Sequence, residues 1–230
     1  FKGLPSFYPP DETLRTSDQV KSIDAGNFFL RILGKIQTPA STSLLAHKFA
    51  TAISTSTRTE AIKALGQQTW SKNVSASLRS ALESPQSHIL VPTLEATATY
   101  KVEAKELSPA VMGVYKKNKS PWVRGHCLYA GMAIDAEQWT PFVLKEISDP
   151  KSDIRASAAG AIALAARPEE APLIATLLKD SNPTVIIEML DKLVQWGQED
   201  FTPEIKNSLR LLLDRKEPGP LALVAALSEQ

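Results

Sequence analysis

Four prolines recur at almost constant spacing in the second half of the chain: Pro109, Pro141, Pro172 and Pro203. The steps between them are 32, 31 and 31 residues. Each proline is followed by apolar residues at the i, i+3, i+4, i+7 spacing of a helix with one buried face. A fixed period of this length predicts an array of similar supersecondary units.

Each of these prolines is predicted to begin a helix rather than interrupt one. Proline destabilises a helix interior by about 3 kcal/mol, but at the first helical position its missing N–H and fixed φ cost nothing. Ser108, Thr140 and Thr202 directly precede three of the prolines and are good N-cap residues. We therefore expect the first helix of each unit to start at the proline.

A second helix is predicted to follow the first after a short polar turn that contains proline. The β-branched residues that open these second helices are Val123, Ile154 and Val185. The unit is thus a helix, a turn and an antiparallel helix. One such pair buries too little apolar surface to be stable alone, so neighbouring pairs have to stack. Small residues that allow close stacking are Ala156, Ala158, Ala159 and Ala161.

The pattern predicts an all-α fold, an α-α superhelix of about five to seven antiparallel helix pairs. Residues 105–230 are expected to form the regular repeats and a C-terminal cap, and residues 17–104 to form irregular repeats of the same continuous solenoid. Residues 1–16 are rich in proline and aromatic residues and predict an extended arm. The arm either packs along the flank of the stack or tethers another domain.

The repeat unit resembles the HEAT repeat, especially the short HEAT-like repeats of phycobilisome lyases. In that family a proline stands near the start of the first helix, Asp at its end, and Val-Arg opens an Ala-rich second helix. Residues that match are Pro141, Asp149, Pro150, Ile154, Arg155 and Ala158, then Pro172, Leu177, Leu178, Asp180, Pro183 and Val185. Lys119 and Ile186 depart from the pattern. The resemblance implies an α-solenoid, usually a protein-binding scaffold, without implying one chemistry.

The charge balance excludes some classes of function. The chain has 26 basic and 25 acidic side chains, a net charge of +1, whereas dedicated nucleic-acid binders show a basic excess. No apolar run approaches the roughly 20 residues that a transmembrane helix needs. The compartment stays open, because the chain starts at Phe1 and any targeting segment is out of view.

No catalytic, metal-binding or cofactor-binding residues are predicted. His47, His88 and His126 are widely separated and show no metal-ligand spacing. Cys127 is the one cysteine, which excludes an internal disulfide and a multi-cysteine metal site. Its small neighbours favour a buried core thiol.

The preferred function is a non-enzymatic scaffold or adaptor within a larger protein or assembly. It would hold a protein or peptide on a concave face formed by the second helices. Trp, Tyr and Arg dominate interface energetics, and the predicted partner-binding residues are Trp122, Arg124, Tyr129, Arg155 and Gln195. For Arg124 and Arg155 a structural role is preferred, in which each ties a turn carbonyl or an acidic neighbour such as Asp149 or Asp153 into the stack, and partner contact is the alternative.

The alternative function is a helical-repeat enzyme or enzyme subunit, similar to a DNA glycosylase or a chromophore lyase. A glycosylase would use Trp122, Trp139 and Trp196 with Asp135 as the acid and Arg155 on phosphate. The tryptophan spacing does not reproduce the paired tryptophans of that family, and the charge does not suit DNA. Packing in the core or at helix ends is therefore the preferred role of these tryptophans.

Overall fold

Helices account for the regular structure of the described chain. The computed structural model describes residues 17–165, 171–193 and 201–214. Their helices are α1 (Ser17–Lys35), α2 (Pro39–Thr51), α3 (Thr55–Leu65), α4 (Lys72–Leu82), α5 (Ser87–Thr99), a 3₁₀ helix (Lys101–Leu107), α6 (Ser108–Lys117), α7 (Pro121–Glu146), α8 (Ser152–Ala165), α9 (Ala171–Leu177), α10 (Pro183–Leu193) and α11 (Pro203–Asp214). These residues contain no strand, and the all-α prediction is confirmed.

The helices alternate between two layers. The front layer consists of α1, α3, α5, residues 121–134 of α7, α8 and α10, each packed on the next. The back layer consists of α2, α4, α6, residues 136–146 of α7, α9 and α11. Among the described residues the predicted unit occurs five times: α2 with α3, α4 with α5, α6 with residues 121–134 of α7, residues 136–146 of α7 with α8, and α9 with α10. Five pairs, with α1 and α11 outside them, agree with the predicted five to seven pairs of a HEAT-like solenoid.

Proline starts helices in the second half of the chain. Pro203 is the first residue of α11, as predicted, and Pro183 is the first residue of α10, two residues before Val185. The Thr202 hydroxyl accepts a hydrogen bond from the backbone N–H of Ile205 at 3.5 Å, so Thr202 caps α11 as expected. The same arrangement starts α2, where Thr38 and Ser41 form a reciprocal capping box ahead of the first turn.

The prediction for Pro141 is wrong. The backbone leaves helical geometry at Asp135 (φ −155°, ψ 71°), and the next helical arm begins directly after it, so Pro141 lies inside the helix. Thr140 is not an N-cap, because its hydroxyl donates to the carbonyl oxygen of Ala136 at 2.8 Å. The early start places Trp139, which is fully buried, in the core. Burial of this side chain outweighs the N-terminal preference of proline.

The prediction that Ser108 caps α6 is also wrong. The 3₁₀ helix runs directly into α6, and the Ser108 backbone is helical (φ −52°, ψ −43°). Its hydroxyl instead donates to Gln138 Oε1 at 2.5 Å and accepts from the indole Nε1–H of Trp139 at 2.9 Å. The serine is therefore used to join α6 to residues 136–146 of α7.

Small residues bring the front-layer helices close together. The predicted alanines Ala156, Ala158, Ala159 and Ala161 of α8 are all buried. A Cβ atom added to Gly125 of α7 would lie 2.3 Å from the Ser157 hydroxyl oxygen of α8, and one added to Gly131 would lie 2.0 Å from the Trp139 ring. Glycine is thus needed where two helices, or a helix and an indole ring, approach at backbone distance.

Some predictions fall outside the described residues. These are the arm at residues 1–16, the partner-binding role of Gln195, the packing of Trp196 and the part of the C-terminal cap beyond residue 214. Among the helices that the structure describes, none combines the length and the apolar character needed to cross a bilayer.

Candidate functional site

A row of equivalent side chains crosses the front layer. Glu95, His126, Ser157 and Glu188 stand at intervals of 31 residues; the last three are the sixth residues of α7, α8 and α10, and Glu95 lies in α5. Because these helices pack side by side, the row runs across four successive repeats. All four side chains line one open groove of about 530 Å³, called here the front groove.

Aromatic side chains and a floor of small residues shape the front groove. Trp122 of α7 is 56% exposed, and Tyr129, on the same helix, is half-buried. Both predicted partner-binding aromatic residues therefore line the same cavity. The small lining residues are Gly125, Ala156, Ser157, Gly160 and Ala161. Large rigid rings beside a low floor are suited to holding an apolar side chain of another chain.

His126 joins the aromatic side of the groove to an acidic residue. Its Nδ1 lies 2.9 Å from the carbonyl oxygen of Trp122, and its ring meets the Trp122 ring edge-on with 5.4 Å between centroids. Its Nε2 lies 3.3 Å from Glu95 Oε1. A carbonyl oxygen only accepts hydrogen bonds, so the Nδ1 contact requires a proton on Nδ1, and Nε2 donates to Glu95 only in the imidazolium form.

Arg155 does not line the front groove. Its guanidinium donates to both carboxylate oxygens of Asp180, at 3.0 and 3.1 Å, and to the carbonyl oxygens of Asp149 and Pro150, at 2.8 and 3.1 Å. The hydrogen bond from Arg155 lowers the pKa of Asp180 below its ordinary value. The side chain thus ties together the turns of two successive repeats, with Asp180 rather than Asp153 as the acidic partner.

Arg124 also points away from the lining of the groove. Its guanidinium lies over the Tyr115 ring, 4.6 Å from the centroid, and donates to the hydroxyl oxygen of Tyr115 at 3.0 Å and to the Glu146 carboxylate. The Tyr115 hydroxyl donates to the same carboxylate, which is buried. Burial, followed by the neighbouring Glu146, raises the pKa of Tyr115 to about 12. The three side chains join α6 to both arms of α7.

The remaining residues of interest lie in the core or at the kink. Trp139 is buried against Tyr115 and Phe142, so its predicted core role is confirmed. Asp135 forms an ion pair with Lys105 at 3.3 Å and is not part of the groove lining. Cys127 is a fully buried thiol, as predicted, and burial raises its pKa to about 12. The structure does not bring Trp139 and Asp135 to the surface that holds Trp122.

The described residues contain no group of three or more His, Cys, Asp or Glu side chains arranged to hold a metal ion. His47 lies on α2, His88 on α5 and His126 on α7. Among the described side chains that line the front groove, the titratable ones are Glu95, His126, Tyr129 and Glu188.

Comparison with known proteins supports the fold. The structure is similar to the X-ray structure of the Escherichia coli protein YibA, with 20% sequence identity over 96% of this chain and 92% of that one and a TM-score of 0.51. It also matches the complex of CpcE and CpcF of phycocyanin lyase from a Nostoc species, with 14% identity over 93% of this chain and 98% of that one and a TM-score of 0.45. No family model matches the sequence, and no curated protein matches it. The similarity to YibA shows that this all-helical fold is shared with another protein.

Of the residues that line the groove, the sequence analysis proposed Trp122 and Tyr129 as partner-binding and missed the charged and histidine side chains beside them. Glu95, His126 and Glu188 were not predicted to bind a partner, yet they follow the same 31-residue period as the prolines. The available signal was the period itself, extended back to α5 and applied to the exposed positions of the second helices. The period identifies equivalent positions, and equivalent positions of stacked helices form rows.

Proposed function

We propose that the protein is a non-catalytic helical-repeat scaffold or adaptor that holds a segment of a partner protein in the front groove. The observation that carries this proposal is Trp122, a large aromatic side chain left 56% exposed beside Tyr129 in a groove that runs across several repeats. Buried tryptophan and tyrosine side chains supply much of the binding energy in protein interfaces.

The rigidity of the groove also supports a binding role. Its walls belong to helices that are joined by the Arg155–Asp180 pair and by the cluster of Arg124, Tyr115 and Glu146. Arg124 and Arg155, proposed from the sequence to contact the partner, are better assigned to holding these walls in place. A site on rigid elements loses less conformational entropy when it binds.

The test is a selection followed by mutagenesis. Peptides are selected with the wild-type protein from a displayed library of random peptides of about 12 residues, which cross the groove when extended. We expect Trp122→Ala and Tyr129→Ala to weaken binding of the selected peptides at least about tenfold. Ile53→Ala is the matched control, because Ile53 is fully exposed and lies outside the groove lining.

Thermal unfolding of each variant separates binding from folding. Trp122 is exposed, so its replacement is expected to leave the unfolding temperature close to that of the wild type. If Trp122→Ala and Tyr129→Ala lower stability while peptide affinity per folded molecule is unchanged, these aromatic residues serve the fold. The front groove would then not be the binding site.

A further inference from the structure

The first helix of the stack carries an apolar stripe on its surface. Phe28 of α1 is 62% exposed and Phe29 is 53% exposed, and the side chains of Ile32 and Ile36 are exposed as well. Spacings of three and four residues place Phe28, Phe29 and Ile32 on one face of α1, and Ile36, directly after the helix, continues the spacing. Contiguous apolar surface of this kind marks a site where another segment of protein packs.

The stripe lies on the outer side of α1, away from the helices that α1 packs against. The inner side holds Leu30 and Leu33, which are buried where α1 meets α2 and α3. Ile32 stands two residues after Leu30, which places it about 200° around the helix from that residue. In a repeat stack each inner helix is covered by a neighbour on both sides, whereas the end helices need a cap. Because α1 is the first described helix, its stripe faces the place where a cap belongs.

Residues 1–16 supply a segment suited to that place. They directly precede α1 in the chain, lie outside the described residues, and include the apolar and aromatic side chains of Phe1, Leu4, Phe7 and Tyr8. Their three prolines favour an extended course, which exposes side chains for packing. Covalent attachment to α1 also gives these side chains a higher effective concentration at the stripe than a separate molecule would have.

The length of the arm agrees with the length of the stripe. At about 1.5 Å per helical residue, Phe28 lies about 17 Å along α1 from Ser17, and Ile36 lies about 29 Å along it. A polyproline-like chain advances about 3.1 Å per residue. With about four residues used to reverse the chain before Ser17, Tyr8 returns about 16 Å along α1 and Leu4 about 28 Å. The apolar residues of the arm therefore reach the positions of Phe28 and Ile36.

We infer that residues 1–16 fold back along α1 and cap the end of the stack, with Phe7 and Tyr8 on Phe28 and with Leu4 near Ile36. This inference goes beyond the proposed function, because the front groove is lined by residues of α5, α7, α8 and α10 and the stripe belongs to α1.

A nitroxide spin label on the arm tests this arrangement in the full chain. The label is attached to the thiol of Ser6→Cys, because the natural thiol of Cys127 is fully buried. We expect the label to abolish the NMR amide signals of residues 24–35 of α1, while those of α9, in a late repeat, keep their intensity. A second sample mixes spin-labelled chains with isotope-enriched chains that carry no spin label, and so detects contacts between copies.

A pair of variants connects the loss of signal to the stripe. Phe28→Ala combined with Ile32→Ala removes two of the apolar side chains that the arm would cover, so it should restore the α1 signals. Both positions are exposed, and circular dichroism checks that the variant keeps its helical fold. Val102→Ala is the matched control, because Val102 is an exposed apolar residue of the 3₁₀ helix and its replacement should leave the α1 signals abolished.

Each outcome supports or overturns the inference. Loss of the α1 signals within one chain, reversed by replacing Phe28 and Ile32, supports it. Loss in the mixed sample shows that the arm of one copy covers the stripe of another, and overturns it. Full α1 intensity in both samples places the arm elsewhere and overturns it, which leaves the stripe open to another protein. Loss that persists after Phe28 and Ile32 are replaced shows that the arm passes α1 without using the stripe, and also overturns it.

Discussion

The most buried side chain that joins repeats in the first half of the stack is neutral, whereas the second half has partly buried ionic joints. Between α1, α2 and α3 the buried amide of Gln68 donates to the carbonyl oxygens of Leu33 and Gly34, at 3.2 and 2.8 Å, and its Oε1 accepts from Ser41 and Thr42, at 3.1 and 2.9 Å. This junction is neutral. In the second half the corresponding joints are ionic, formed by Arg155 with Asp180 and by Arg124 with Glu146, whereas the ion pair that joins α1 and α3 in the first half, Arg31 with Glu60, is exposed on its arginine side.

The two kinds of joint supply hydrogen-bond donors to buried acceptor groups in different ways. Carbonyl groups at helix ends and in turns have to be hydrogen-bonded wherever they are buried. A glutamine amide and an arginine guanidinium both supply several donors from one side chain. Only for the ionic joints do we expect the contribution to the free energy of unfolding to depend strongly on pH and salt. Four experiments compare the ionic joints with the neutral one.

The largest effect is expected at the buried carboxylate of the ionic half. Glu146→Ala removes the acceptor of both Arg124 and Tyr115 and leaves a half-buried guanidinium unpaired, which we expect to cost about 3 kcal/mol in the free energy of unfolding. Urea unfolding followed by circular dichroism measures this loss. Glu146→Gln retains an acceptor oxygen and should lose less. Equal losses in the two variants would show that the charge, and not the acceptor, is what the cluster requires.

Loss of the neutral joint at Gln68 is expected to have the next largest effect on the free energy of unfolding. Gln68→Ala leaves the carbonyl oxygens of Leu33 and Gly34 and two hydroxyl groups without this partner, at a cost of about 2 kcal/mol. The loss should be the same at about 50 and about 500 mM salt, because no ion pair is broken. Gln67→Ala, at an exposed neighbouring position, is the control. If the loss of stability in Gln68→Ala depended on salt, the contrast between the neutral joint and the ionic joints would not hold.

The Arg155 joint is expected to contribute less to the free energy of unfolding than the Gln68 joint. Arg155→Ala breaks a two-pronged pair near the surface and should cost about 1 kcal/mol at low salt, less at high salt. Arg155→Lys keeps the charge but not the fork of parallel donors, so it should recover only part of the stability. Arg210→Ala, exposed on α11, controls for the loss of one positive charge. Full recovery by lysine would show that charge alone holds this joint.

The smallest effect concerns pH. The pKa of Asp180 is lowered in the folded state, so its contribution to stability is fully present above the ordinary value of 3.8. It is lost as the pH falls below that value through the folded-state pKa. We expect wild type to lose more stability than Asp180→Asn between pH 6 and pH 3, measured by urea unfolding. Parallel losses would show that Asp180 does not contribute to the pH dependence.

Sequence reasoning identified the repeats of the second half, though not the acidic partners of Arg124 and Arg155, because their pattern consists of strong local signals. Proline, Asp and Arg at fixed positions matched a known repeat, whereas the neutral joint at Gln68 has no such signature. Glutamine is frequent on exposed helix surfaces, and only the approach of α1 and α2 turns this one into a buried partner. Similarly, Trp122 and Tyr129 were predicted as surface anchors, but the acidic residues beside them come from α5 and α10.

The sequence by itself determined the repeat unit, its helical class and the starts of α10 and α11. These depend on contacts within a few residues, where apolar periodicity and proline geometry are decisive. Tertiary structure alone decided three features: the kink at Asp135, the hydrogen bond from the Trp139 indole to Ser108, and the pairing of Arg124 with Glu146 rather than Asp149. Those outcomes depend on which side chains stacking brings within hydrogen-bond reach, and the energy of burying Trp139 outweighed the local preferences of Thr140 and Pro141.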